Sequence, residues 1–292
     1  MNKTIDIHRI GMILRWDFFT NWKGYFNRTV GLAIGILLYQ LMQLNTISSW
    51  IDEKGAFSFG YDDTQMLITS MQDTNVNVIW TIFGLLFLIS AANIFGNMRT
   101  KLQRESFLIL PANNSEKYLA RFLMMSIGSI CMMIIALILA DFARFIFSLF
   151  MTPGYHDSIT WAWLQSVFST GPFKNYSFLV EHPESILFEI SLGTLIHSFC
   201  TLGGTFYRKQ PVILTACSAI FISIIICYAI SELYDWGVFA CIKNIDYHNT
   251  TVRTCMVIFW SVVFLALAAI NYCASYKIFT RMQVICNKWI NL

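Results

Sequence analysis

Glu189 and His197 stand eight residues apart inside one apolar run. Helical spacing puts them on roughly one face, about two turns apart. A carboxylate beside an imidazole within a bilayer can bind an ion or relay protons. The plainer reading is structural, because Glu189 falls near the outer end of its run, where water is close. Asp141 and Arg144 form a second constellation. Three residues apart on a helix, they share a face and can pair, and an ion pair just outside the bilayer is the reading preferred to an intramembrane one. The third lies at 104–122, RESFLILPANNSEKYLARF, where Arg104, Glu116, Lys117 and Arg121 surround an apolar FLIL and a proline.

Other chemistry is missing from the pattern. No GxxxxGK[ST] occurs, so ATP binding by a P-loop is not expected. HExxH and GxSxG are absent too. His8, His156, His182, His197 and His248 are not spaced as helical ligand pairs, and there is no CxxC. No catalytic residue, metal or cofactor is therefore expected. Cys131, Cys200, Cys217, Cys227 and Cys273 sit in apolar runs as small hydrophobes, whereas Cys241 and Cys255 flank one loop and can pair in an oxidising compartment.

The elements that must position these residues follow from composition. The chain is 56% hydrophobic and 13% charged, against about 25% charged in soluble domains. Its mean hydropathy is +0.57. This is an all-α polytopic membrane protein. The net charge of +3 gives no reason to expect nucleic acid. No cleavable leader is expected, since the first apolar run starts near Thr29 and no small-residue cleavage site follows it. Six segments are long and apolar enough to span, near 27–47, 76–96, 120–141, 186–206, 211–231 and 253–274. The third run continues to about Met151, longer than the apolar core needs.

The charges between the spans sort by side. Lys3, Arg9, Arg15, Lys23 and Arg28 precede the first span, and Arg99, Lys101, Arg104, Lys117 and Arg121 lie between the second and third. Arg208 and Lys209 fill the next short turn on that side, and Lys277, Arg281 and Lys288 the tail. The alternate loops, 48–75, 142–185 and 232–252, are poor in Lys and Arg. By the positive-inside rule both termini are cytoplasmic.

Residues 1–26 read as an amphipathic helix lying in the cytoplasmic interface. Ile10, Ile13, Leu14, Phe18 and Trp22 form one stripe, which Phe26 extends. A plain extension of the first span is the alternative. The domain layout is thus this helix, a six-span domain over 27–274 and a cytoplasmic tail over 275–292. Gly31 and Gly35 form a GxxxG that allows close helix approach, within the chain or across a dimer, the former being the plainer reading. The loop EHPES at 181–185 starts a helix. The apolar WGVFACI centre of 231–252 reads as a short re-entrant or interfacial element on the outer face.

In 104–122, Pro111 lacks an N–H and biases Leu110 away from helix, so a helix through Phe107 should stop there. Asn113 can cap a new helix, with Glu116 reaching back from its third position. Lys117 and Arg121, four apart, share a face. The result is a helix, a break and a second capped helix. Phe107, Leu108 and Ile109 then offer an apolar edge, which either docks a cytoplasmic partner or lies in the membrane interface.

The run LILPANNSEKYLARFL resembles the LPAS…EK…R segment of permease subunits of type 2 ATP-binding-cassette exporters, in the form found in Bacteroidetes-like bacteria. Leu110, Pro111, Ala112, Ser115, Glu116, Lys117, Arg121 and Phe122 carry the resemblance, which covers about twenty residues. Asn113-Asn114 makes the spacing one step longer than in the tight form. The resemblance implies an exporter permease in a bacterial cytoplasmic (inner) membrane. It also implies a partner ATPase subunit docked on the loop 99–121 and a second permease, identical or paralogous. The partner-docking residues would be Arg104, Phe107, Leu108, Ile109, Pro111, Glu116, Lys117 and Arg121. The alternatives are a non-transporting scaffold or accessory protein, and an intramembrane enzyme built on Glu189, His197, Asp141 and Arg144.

Overall fold

The computed structural model describes residues 5–54, 61–98, 100–151, 158–167, 183–235 and 250–281. Among them the fold is all helical. The helices are α1 (Ile7–Lys54), α2 (Tyr61–Ala92), α3 (Lys101–Leu108), α4 (Asn114–Met151), α5 (Ile159–Val167), α6 (Pro183–Phe206), α7 (Pro211–Asp235) and α8 (Thr250–Thr280), with a 3-10 turn at Gly96–Met98. The prolines explain much of this punctuation. Pro111 follows α3, and Pro183 and Pro211 open α6 and α7, where a missing N–H costs nothing and a fixed φ suits the first turn.

Six helices are long and apolar enough to cross a membrane, over Ile7–Ser49, Ser70–Ala92, Asn114–Met151, Ile186–Phe206, Pro211–Tyr234 and Thr251–Thr280. These match the six expected spans. The N-terminal segment differs from expectation. It is not a separate helix, because α1 runs unbroken for 48 residues, about 72 Å at 1.5 Å per residue. No proline interrupts it, and its glycines, Gly11, Gly24, Gly31 and Gly35, weaken a helix without ending it. The expected stripe also divides. Ile10 and Ile13 are buried, while Phe18, Trp22 and Phe26 are exposed. The face of Ile10 and Ile13 continues to Asp17, also buried, whose carboxylate accepts from the Tyr25 hydroxyl at 2.7 Å and the Asn21 amide at 3.0 Å.

The chain divides into two compact units. The first comprises Met1–Leu14, Leu88–Ser126 and Glu181–Leu292. Here α6 packs along α8 and against α7. Gly204 lies so close to the chain of Ala92 that a Cβ would overlap its carbonyl oxygen, and Gly203 is equally tight against Thr215. Gly31 and Gly35, by contrast, have nothing within 4 Å of a built Cβ. The close approach expected of the GxxxG within the chain is found at Gly203-Gly204 instead.

The second unit comprises Arg15–Phe87 and Ile127–Val180. Its core joins Ile36 of α1, Val76, Ile79 and Phe83 of α2, Met133, Leu137 and Ala140 of α4, and Ile159 and Trp163 of α5. Helix α5 falls in the long loop 142–185, where no element was expected. It is placed by aromatic contact, Trp163 lying 5.3 Å from Trp80 and 5.5 Å from Phe83 between ring centroids. The WGVFACI segment and Cys241 lie outside the described residues.

Candidate functional site: a braced elbow and a buried polar seam

The elbow joining α2 to α4 is built from caps. Thr100 caps α3, its hydroxyl accepting from the Gln103 N–H while the Gln103 side chain accepts from the Thr100 N–H, both at 3.3 Å. This is a complete capping box. Its T-x-x-Q signature was present in the sequence, just upstream of the stretch that drew attention. Helix α3 ends at Leu108, before Pro111, and α4 begins at Asn114. Glu116 Oε2 accepts the Asn113 N–H at 2.9 Å, the backward half of the expected box.

Glu116 does more than cap. Its other oxygen accepts the Asp6 N–H at 3.1 Å and pairs with Arg9 Nη2 at 3.3 Å. Arg9 Nε also pairs with the Asp6 carboxylate at 3.3 Å. One carboxylate, 0% exposed, therefore ties the start of α1 to the start of α4. The ammonium of Lys117 donates to the Leu108 carbonyl at 2.7 Å, closing the turn across Pro111. The Arg121 guanidinium donates to the Ile94 carbonyl through Nε at 2.9 Å and Nη2 at 2.7 Å. That bond satisfies a carbonyl beyond the end of α2, where helices leave acceptors unmet.

These contacts correct the expected docking edge. Arg104, Glu116, Lys117 and Arg121 are buried, and Phe107 is 0% exposed. Glu116, Lys117 and Arg121 brace the elbow from inside through these bonds, and the five buried side chains offer no surface to a partner. Leu108 is half-buried and Pro111 exposed. The outward apolar edge is made by Ile109, 79% exposed, and Leu102, 77% exposed. Leu102 was not foreseen. Its position seven residues before Ile109, on one helical face, was the available signal.

Within α6 the two candidate residues differ in burial, which suits the plainer structural reading over a carboxylate–imidazole pair. Glu189 is exposed, whereas His197 is buried eight residues away. His197 Nδ1 lies 2.8 Å from the Tyr272 hydroxyl and Nε2 3.2 Å from that of Ser126. A neutral imidazole donates from one nitrogen and accepts at the other, and hydroxyls can serve both. The Phe122 ring stands edge-on to both His197 and Tyr272. Further bonds extend a polar seam along α6 and α8. The Asn271 amide donates to Ser198 at 3.1 Å, and Thr205 and Ser275 lie 2.6 Å apart. The Tyr118 hydroxyl donates to Ser275 at 3.0 Å, and Ser115 meets Tyr276 at 2.8 Å. The seam joins α4, α6 and α8, and interhelical bonds of this kind hold membrane helices together where burial alone does not.

Asp141 and Arg144 do pair, at 3.5 Å. The Asp141 carboxylate also accepts from the Ser158 hydroxyl at 2.6 Å and from the N–H groups of Ile159 at 3.1 Å and Thr160 at 3.3 Å. It therefore caps α5, as an acid at a helix N-terminus should, and its role is structural. Among the described residues no group of three His, Cys, Asp or Glu side chains could hold a metal. Comparison with known proteins finds no matching protein family, no matching curated protein and no matching solved structure.

Proposed function

We propose that this chain is the membrane-spanning permease subunit of an ATP-driven exporter, coupled to a separate ATPase subunit through the loop 99–121. The observation that carries this reading is the construction of the elbow. A connector that only joined two spans would need no capping box, no buried carboxylate bridge to α1 and no guanidinium on the end of α2. Braced in this way, the elbow moves as one body with the starts of α1 and α4. A push on Leu102 and Ile109 would reach two long apolar helices without being absorbed by the turn. The resemblance of LILPANNSEKYLARFL to exporter permeases points the same way. In this reading the chain sits in a bacterial cytoplasmic membrane with N-in/C-in topology. It works beside a second copy or a paralogue, and residues 220–231 of α7, exposed on every side, leave an apolar helix free to meet it.

The test is a pull-down in gentle detergent with an ATP-hydrolysis assay on the purified assembly. The expected result is a stoichiometric P-loop ATPase that is lost when Leu102 and Ile109 are both changed to Ser. Because both side chains are exposed, the double variant should fold as the unaltered chain does, within about 0.5 kcal/mol. A chain that purifies alone in every gentle detergent would favour the scaffold reading.

A further inference from the structure

Gln40 sits on the core stripe of α1, between Ile36 and Leu44, and is 1% exposed. Neither its Oε1 nor its Nε2 has a hydrogen-bond partner among the described residues. A carboxamide offers two donor hydrogens and two acceptor lone pairs, so its whole capacity is unmet. Asn75 of α2, 5% exposed, leaves its Oδ1 unmet, and Thr160 of α5 leaves its Oγ1 unmet.

Register brings these groups to one depth of the second unit. Ile36, Val76, Ala140 and Ile159 belong to one core. Only residues 55–60 separate α1 from α2, so the two helices run antiparallel. One turn beyond Ile36 and one residue before Val76 are therefore the same direction, toward the end that carries α5. Gln40 and Asn75 occupy those two places. Asp141 and Thr160 adjoin Ala140 and Ile159.

Buried polar groups find partners as a rule, and leaving one unmet is costlier where no water can reach it. Leucine would fill the Gln40 position without that cost. Among the described residues nothing meets the carboxamide, and a ligand from outside the chain would. The charges nearby do not call for an ion, because Asp141 and Arg144 already pair at 3.5 Å. We propose that Gln40, Asn75 and Thr160 form a binding site for an uncharged solute bearing hydroxyl or amide groups, entering from the α5 end of the second unit. Carboxamides present donors and acceptors side by side, which suits such groups and rejects hydrocarbon. Water offers the same chemistry and is separated from a solute by the test. The site is drawn from the second unit alone and stands whether or not an ATPase engages the elbow.

The test uses the full chain in membrane vesicles with Gln40→Cys, Asn75→Cys and Ile36→Cys as separate variants. The probe is hydroxyethyl methanethiosulfonate, an uncharged hydroxyl-bearing reagent, with labelling read peptide by peptide in a mass spectrometer so that native cysteines do not interfere. Thiols react as thiolates, which form where water and polar groups reach them. The thiols introduced at positions 40 and 75 should therefore be labelled about ten-fold or more faster than the one introduced at position 36. Should Gln40→Cys fail to fold, Asn75→Cys carries the comparison. Three results would overturn the proposal. Equal labelling at all three positions would mean a general opening of the core. Absent labelling with a lower melting temperature for Gln40→Leu would mean internal water only. Absent labelling with a higher melting temperature for that variant would mean a dry, unmet carboxamide.

Discussion

Glu116 gathers three groups of the elbow, since Asp6, Arg9 and Asn113 all reach its carboxylate. Glu116→Ala leaves two N–H groups and a guanidinium without their acceptor. It should cost about 3 kcal/mol in unfolding measured in detergent. Arg9→Ala should cost less, about 1–2 kcal/mol, because the buried Glu116 carboxylate loses its cation but keeps the Asp6 and Asn113 N–H groups. Equal losses from the two variants would show that the bridge is not held as described. The same comparison sorts the groups in the membrane. Tyr272→Phe removes a bond to His197 and should cost about 1 kcal/mol, whereas Glu189→Gln, at an exposed position, should leave the melting temperature unchanged. A drop for Glu189→Gln matching that of Tyr272→Phe would restore the carboxylate–imidazole pair. At this scale the sequence showed the residue types and the local cap from Glu116 to Asn113. It could not show that Glu116 meets Asp6 and Arg9, more than 100 residues away, or that His197 takes hydroxyl partners from two other helices.

Among the elements, glycine makes the clearest contrast. Gly204→Ala should push α6 away from Ala92 and lower stability by about 1–3 kcal/mol, the usual cost of overpacking. Gly31→Ala and Gly35→Ala have open space around them and should be neutral or mildly stabilising, since alanine favours helix over glycine. Melting temperatures of the three variants check this directly, and a loss at Gly31 or Gly35 in membranes but not in detergent would place a second helix on that face. Helix boundaries near prolines were legible because proline acts on its own backbone. The expected break near residue 26 was not found, because amphipathic patterning describes which face is apolar and says nothing about whether a helix stops. Helix α5 was missed for a related reason. It spans nine residues, too few to show periodicity, and its place depends on Trp80, Phe83 and Asp141 from other elements.

For the whole molecule, six long apolar helices make a multi-pass membrane protein. The basic residues among the first 28 positions and in the stretches 99–121 and 208–209 predict which side each connection faces. A phosphatase reporter fused after residue 54 or residue 155 should be active, as befits the far side. The same reporter fused after residue 105 or residue 209 should be inactive. Reversal of all four would invert the topology and put the elbow out of reach of any ATPase.

Spans and candidate orientation were open to the sequence because both depend on sums over local composition, and a sum is indifferent to which helix neighbours which. The α3 stop and the α4 cap were open to it because their bonds close within a few residues. Burial was not. Whether Phe107 points out or in, whether Gly31 or Gly204 touches a backbone, and which partner His197 finds are settled by segments far apart in the chain. Only the packed structure brings those segments within the ~3 Å at which a hydrogen bond is made.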